Sequence, residues 1–166
     1  GFDRARLYLV NEKRNVLECK MAVGIDEERI RGITLRLNPE DSIVARSIFE
    51  KQPFIIPDAS KDPRVNPIIK EKFNLHSLVA IPLLVKEKAL GAIAADFIDP
   101  NKNITKEALE SVMAFAHRKS TRLNSIHKLI SKGLILLKKK KRGGGRGGGG
   151  GRGAGRGGWG GGGGGG

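Results

Sequence analysis

Few side chains in this sequence have the type and spacing for covalent or metal chemistry. The three histidines are too scattered for an obvious metal cluster. His76 stands just before the apolar run Leu78–Val85 and could face a pocket as a ligand. A histidine at a strand start serves equally well as a hydrogen-bonded structural residue. Cys19 is the one cysteine, so no intrachain disulfide can form. It lies on the apolar side of an alternating run, where a thiol packs as a small apolar group unless a cationic neighbour activates it. Asp58, Asp62 and Arg64 share a proline-rich loop. They could bond a ligand's polar groups, or hold the loop through Asx turns and a surface ion pair. No glycine-rich phosphate loop, His-Glu-x-x-His or Gly-x-Ser-x-Gly occurs before residue 118. The expectation is a protein with no catalytic residues, no metal ligands and no enzymatic activity of its own.

The elements that would carry these residues follow from periodicity. Ala5–Val10 and Val16–Val23 alternate and flank the polar stretch Asn11–Asn15, which predicts a hairpin. Ala5, Leu7 and Leu9 share a face opposite Arg6 and Tyr8. Leu17, Cys19, Met21 and Val23 share a face opposite Glu18 and Lys20. One face is expected to be buried and the other wetter. Gly24–Gly32 is charged and irregular, with room for a short helix, and Ile33–Leu37 is a third strand. Asn38, Pro39, Glu40 and Asp41 predict a helix start, with Ile43, Val44, Ser47 and Ile48 turned inward and Pro53 ending it.

Phe54–Ile56 reads as a short strand, Pro57–Pro67 as a loop and Ile68–Phe73 as a short helix. Leu78–Val85 and Leu90–Phe97 are almost wholly apolar, as expected of central strands covered on both faces. Pro82 predicts a bulge or an unpaired amide. Thr105 caps a last helix with Leu109, Val112, Met113 and Ala116 on one stripe. The fold class is therefore α+β, a sheet with helices packed on it.

The net charge of +14 would suggest a nucleic-acid partner. Its location removes that argument. Residues 1–117 hold 18 Lys and Arg against 17 Asp and Glu, and residues 118–166 hold the other 13 basic residues and no acid. Glycine divides likewise, four before residue 118 and 20 after. No run of 18 apolar residues exists, so no membrane span is expected.

Three stretches together resemble the GAF family of small-molecule-sensing modules. They are GFDRARLYLV, SIVARSIFEKQPFIIPDASKDPRV and SLVAIPLLVKEKALGAIAADF, the last through Ser77, Pro82, Leu83, Gly91 and Asp96. The resemblance covers residues 1–117. It implies a six-stranded antiparallel sheet with helices on both faces. It also implies an N-terminal helix that would precede Gly1 and is missing here. By the resemblance, a ligand pocket would be lined by Ile56, Asp58, Ala59, Phe73, His76, Leu78, Ala80, Ala92 and Ala94; the same side chains would equally fill a core. The cofactor stays unknown: Cys19 does not match bilin attachment, cyclic-nucleotide signatures have no convincing counterpart, and only His76 is a candidate for haem. The implied setting is a cytoplasmic signalling protein, a sensor histidine kinase above all. It would bind an unknown small molecule, form a homodimer through flanking helices, and have neither nucleic-acid nor membrane partners. A ligand-free dimerisation module is the alternative.

Residues 118–166 read differently. At face value the Gly/Arg tract is a disordered RNA-binding tail. However, Arg118–Ser125 resembles the translation of a common short-read library adapter. Lys138–Lys141 is what a poly-A run encodes. Every non-glycine residue from Arg142 to Gly166 is Arg, Ala or Trp, each one base from the glycine codon GGG. The tail is expected to be adapter read-through without function, so its charge guides no partner assignment.

Overall fold

The computed structural model describes residues 1–129, with side chains to residue 124. The order is β1 (Arg4–Asn11), β2 (Val16–Gly24), α1 (Glu27–Arg31), β3 (Thr34–Arg36), α2 (Ile43–Glu50), β4 (Phe54–Ile56), α3 (Pro67–Phe73), β5 (Ser77–Val85), β6 (Lys88–Phe97) and α4 (Lys106–Leu129). All six strands join one antiparallel sheet in the order β3-β2-β1-β6-β5-β4. One face packs on α1, α2, α3 and the loop before α3, burying Tyr8, Leu17, Ile30, Val44, Ile48, Val65 and Phe73. The other packs on α4, burying Val79, Ile81, Leu83, Ile93, Ala95, Val112 and Ala116. Helices thus cover both faces, as the α+β reading requires.

Local chemistry sets the element ends. Thr105 Oγ1 accepts from Ala108 N at 3.1 Å and starts α4. Asn66 Oδ1 accepts from Ile68 N at 2.9 Å, with Pro67 in the first helical position of α3. The start of α2 differs from expectation. Asn38 spends its side chain on an Asx turn to Glu40 N, at 2.9 Å. The cap is Ser42, whose Oγ accepts from Ala45 N at 3.1 Å. Ser42 is buried, so no water replaces that bond. Ser42→Ala is expected to lower stability by about 1 kcal/mol in urea unfolding, whereas Asn38→Ala should have a smaller effect.

Two further expectations are corrected. The bulge falls not at Pro82, which pairs with Ala92, but between Leu83 and Leu84, where β6 steps from Gly91 to Ala89. β4 pairs only as far as Ala80, so Pro82 has a strand neighbour on one side alone. A second bulge in β2, at Lys20, lies where β1 passes from Leu7 opposite Met21 to Tyr8 opposite Cys19. One extra residue reverses the side-chain alternation. Leu17 and Ala22 are buried as a result, while Met21 and Val23 are 40% and 51% exposed.

α4 continues through residues 118–129, and residues 1–129 form one compact unit. The Gly/Arg tract, with its poly-lysine start, lies outside the described residues.

Candidate functional site: a buried charged cavity beneath α3

The faces of β1 are the reverse of the simplest reading. Arg4, Arg6 and Tyr8 point into the thicker core, at 2%, 4% and 0% exposure. Ala5, Leu7 and Leu9 are only half-buried. Two arginines can enter a core because β6 supplies Asp96, fully buried and directly opposite Arg4. Arg4 Nε donates to both Asp96 oxygens at 3.2 and 3.1 Å, and its Nη2 donates to Asp96 as well. Arg4 Nη2 also donates to the Phe73 carbonyl at 2.5 Å, tying the end of α3 to the sheet. Arg6 Nη2 donates to the second Asp96 oxygen at 2.9 Å. The Arg6 guanidinium lies 4.9 Å from the centre of the Phe73 ring, within cation–π range.

This cluster holds two cations and one anion. Among the described residues two donors in it have no partner, Arg6 Nε and the Tyr8 hydroxyl. Both residues line a cavity of about 20 Å³, together with Leu35, Val65, Ile69, Phe73, Leu75 and Leu78 and the first turn of α2. Burial pushes the Tyr8 hydroxyl up to about 12, against a smaller lowering by Arg6. Its proton is therefore held more tightly in the folded chain than in the unfolded one. The resulting stability is complete below about pH 10, falls as pH rises from there towards 12, and falls no further above 12. Tyr8 is the chain's one tyrosine, so tyrosinate absorbance reads it directly. Its midpoint should lie well above that of free tyrosine, and Tyr8→Phe should flatten the alkaline loss of stability in urea titrations.

The residues expected to line a pocket fall into three groups. Phe73 and Leu78 line the cavity. Ile56, Ala59, Ala80, Ala92 and Ala94 belong to the surrounding core and do not line it. Ala92 sits opposite Tyr8 and Ala94 opposite Arg6. The room that small residues leave above the sheet is thus taken by these two large polar side chains. Asp58 and His76 lie apart. Asp58 Oδ1 accepts from Ser60 N at 2.9 Å and from Ser60 Oγ at 2.5 Å, which holds its carboxyl below the ordinary range. His76 acts through its backbone, donating to the Phe97 carbonyl at 3.0 Å and accepting from Ala59 N at 2.7 Å. Asp62 pairs with Arg64 at 2.6 Å, the surface alternative raised for this loop.

Burial raises the pKa of the Cys19 thiol, the opposite of an activated nucleophile. Among the described residues, no group of three or more His, Cys, Asp or Glu could hold a metal ion. Arg6 and Tyr8 are the site residues that sequence reasoning missed. The available signal was an aspartate in an otherwise apolar, doubly covered strand. Such a carboxylate requires a buried cation, and Arg4 and Arg6 are the cations of β1.

A six-stranded antiparallel sheet with helices on both faces, and a small, mostly apolar cavity under one helical layer, defines an α+β domain of the kind found in signalling proteins. The family model for the GAF domain matches residues 1–123, and the chain belongs to that family. Domains of this family are generally non-catalytic. Among solved structures, the chain is similar to a methyl-accepting chemotaxis protein, residues 122 to 287. The identity is 22%, the coverage 78% of this chain and 82% of that one, and the TM-score 0.66. It is also similar to the GAF domain of an Acinetobacter phosphoenolpyruvate-protein phosphotransferase, with 16% identity, 78% and 75% coverage and a TM-score of 0.61. A third is a domain of a putative two-component sensor histidine kinase from Sinorhizobium meliloti 1021, with 15% identity, 79% and 85% coverage and a TM-score of 0.59. These likenesses show the fold. No curated protein sequence matches the chain.

Proposed function

We propose that residues 1–117 form the small-molecule-sensing domain of a cytoplasmic signal-transduction protein, with a sensor histidine kinase as the output. One observation carries this reading: β5, on which α4 packs, also lines the cavity through Leu78. β5 and β6 send Leu78, Ala80, Ala92 and Ala94 towards the cavity side. The alternating residues Val79, Ile81, Ile93 and Ala95 go to the α4 side. A ligand that moves α3 or these strands therefore changes the packing of α4 and favours one of its arrangements.

The α4 face supports pairing through helices. A cleft of about 590 Å³ runs between α4 and the β1–β2 hairpin, bordered by Phe2, Leu7, Met21, Val23, Val112 and Phe115. Met113 is 40% exposed on the same helix. No described helix is long and apolar enough to cross a membrane. The small cavity favours one second reading, a dimerisation module that takes no ligand. A thermal-shift panel of amino acids, short carboxylates and amides, nucleosides and cyclic nucleotides separates the two. The sensing reading expects at least one compound to raise Tm saturably. A flat response across the panel, with a dimer in sedimentation, establishes the ligand-free module instead.

For residues 118–166 the proposal remains adapter read-through, resting on the codon pattern. Sequencing the parent genomic locus tests it, and a glycine tract encoded there with diverse codons would refute it.

A further inference from the structure

We propose that the cavity beneath α3 recognises a small carboxylate, held by Arg6 and Tyr8 at the first turn of α2. The proposal rests on the sensing reading, since it uses the same cavity, and adds the ligand's chemistry.

Three features at this cavity favour negative charge. The first is the charge balance. Arg4, Arg6 and Asp96 are all less than 5% exposed, and Asp96 neutralises only one of the two arginines. An uncompensated buried cation is strongly unfavourable and attracts a counter-charge. The second is donor geometry. Arg6 Nε and the Tyr8 hydroxyl are buried donors without acceptors among the described residues, on two residues that line the cavity. A carboxylate has two oxygens and only accepts, so it suits both. The third is α2. Ser42, Ile43 and Val44 line the cavity, and no acid occupies the helix's first turn. The positive end of an eight-residue helix thus faces the same space, with Ser42 Oγ satisfying Ala45 N.

The remaining walls are apolar, which fits a short alkyl substituent. A volume of about 20 Å³ holds about one water-sized group. The alkyl part must therefore displace α3, the element that Phe73 ties to the charge cluster.

The test uses the full 166-residue chain at neutral pH and constant ionic strength, with propionate and its neutral isostere propionamide as probes. Propionate should raise Tm saturably, with propionamide at least about tenfold weaker because it lacks the charge that pairs with a buried cation. Arg6→Met leaves Arg4 and Asp96 as a balanced pair. It should keep the fold by circular dichroism, maintain or raise Tm without ligand, and abolish the propionate response. Tyr8→Phe should weaken propionate several-fold. In the wild type, bound propionate should move the tyrosinate midpoint still higher, a readout independent of whether Arg6→Met folds. Equal responses to propionate and propionamide, or a propionate response intact in Arg6→Met, would overturn the proposal. Stabilisation by neutral compounds alone overturns it too, and leaves the sensing reading standing. Propionate binding that leaves amide exchange in α4 unchanged upholds the carboxylate site and removes the sensing reading.

Discussion

Asp96→Ala is expected to lower stability by about 3–5 kcal/mol, because it strands two buried guanidinium groups. That is a large share of the about 5–15 kcal/mol that holds a domain together, so the urea midpoint should fall markedly. The severity follows from geometry. Asp96 is fully buried and accepts from both Arg4 and Arg6, and among the described residues no other carboxylate bonds to either arginine. The effect should shrink as the stranded charge is removed. Arg6→Met in the Asp96→Ala background should recover part of the loss. Urea unfolding of the two single variants and the double would give a coupling of more than about 1 kcal/mol if the three groups act as one unit. Additive losses would show that Asp96 stabilises the fold by some other route.

Phe73→Ala is expected to lower stability by about 3–5 kcal/mol, the range for truncating a buried aromatic. Phe73 is 2% exposed, ends α3 and lies against the Arg6 guanidinium. Truncation therefore removes packing and a cation–π contact and opens the cavity wall. Phe73→Leu keeps most of the apolar volume and loses the ring face. It should be much milder in urea unfolding, and the difference between the two variants separates packing from the ring's attraction for the cation. A Phe73→Ala protein as stable as the wild type would mean that α3 does not hold the cavity closed.

The sheet was largely legible in the residues because strand alternation and helix capping are local. The two apolar strands, the strand after Pro53 and the Thr105 cap all appear where periodicity places them. The β2 bulge was not legible. A bulge adds one residue without changing composition, so Met21 and Val23 read as core although they are exposed. The α2 cap was misread for a related reason. Asn38 and Ser42 are both good caps, and only the chain's path shows that Asn38 is committed to a turn.

The site was legible in part. Phe73 and Leu78 were among the expected lining residues, whereas the alanines lie beneath the two large side chains of Arg6 and Tyr8 and do not line the cavity. What fills the space above the sheet depends on a partner 90 residues away in the chain, the Arg6–Asp96 pair. Alternation alone assigns Arg6 and Tyr8 to solvent. A charge count strand by strand would have placed them inside.

The central claim is that the cavity under α3 and the helix on the opposite face form one responsive unit. Hydrogen–deuterium exchange of the full chain, with and without the compound giving the largest thermal shift, tests it most directly. The account predicts slowed exchange in residues 67–78 together with altered exchange in residues 106–124. Protection confined to residues 67–78, with α4 unchanged at saturation, would contradict it.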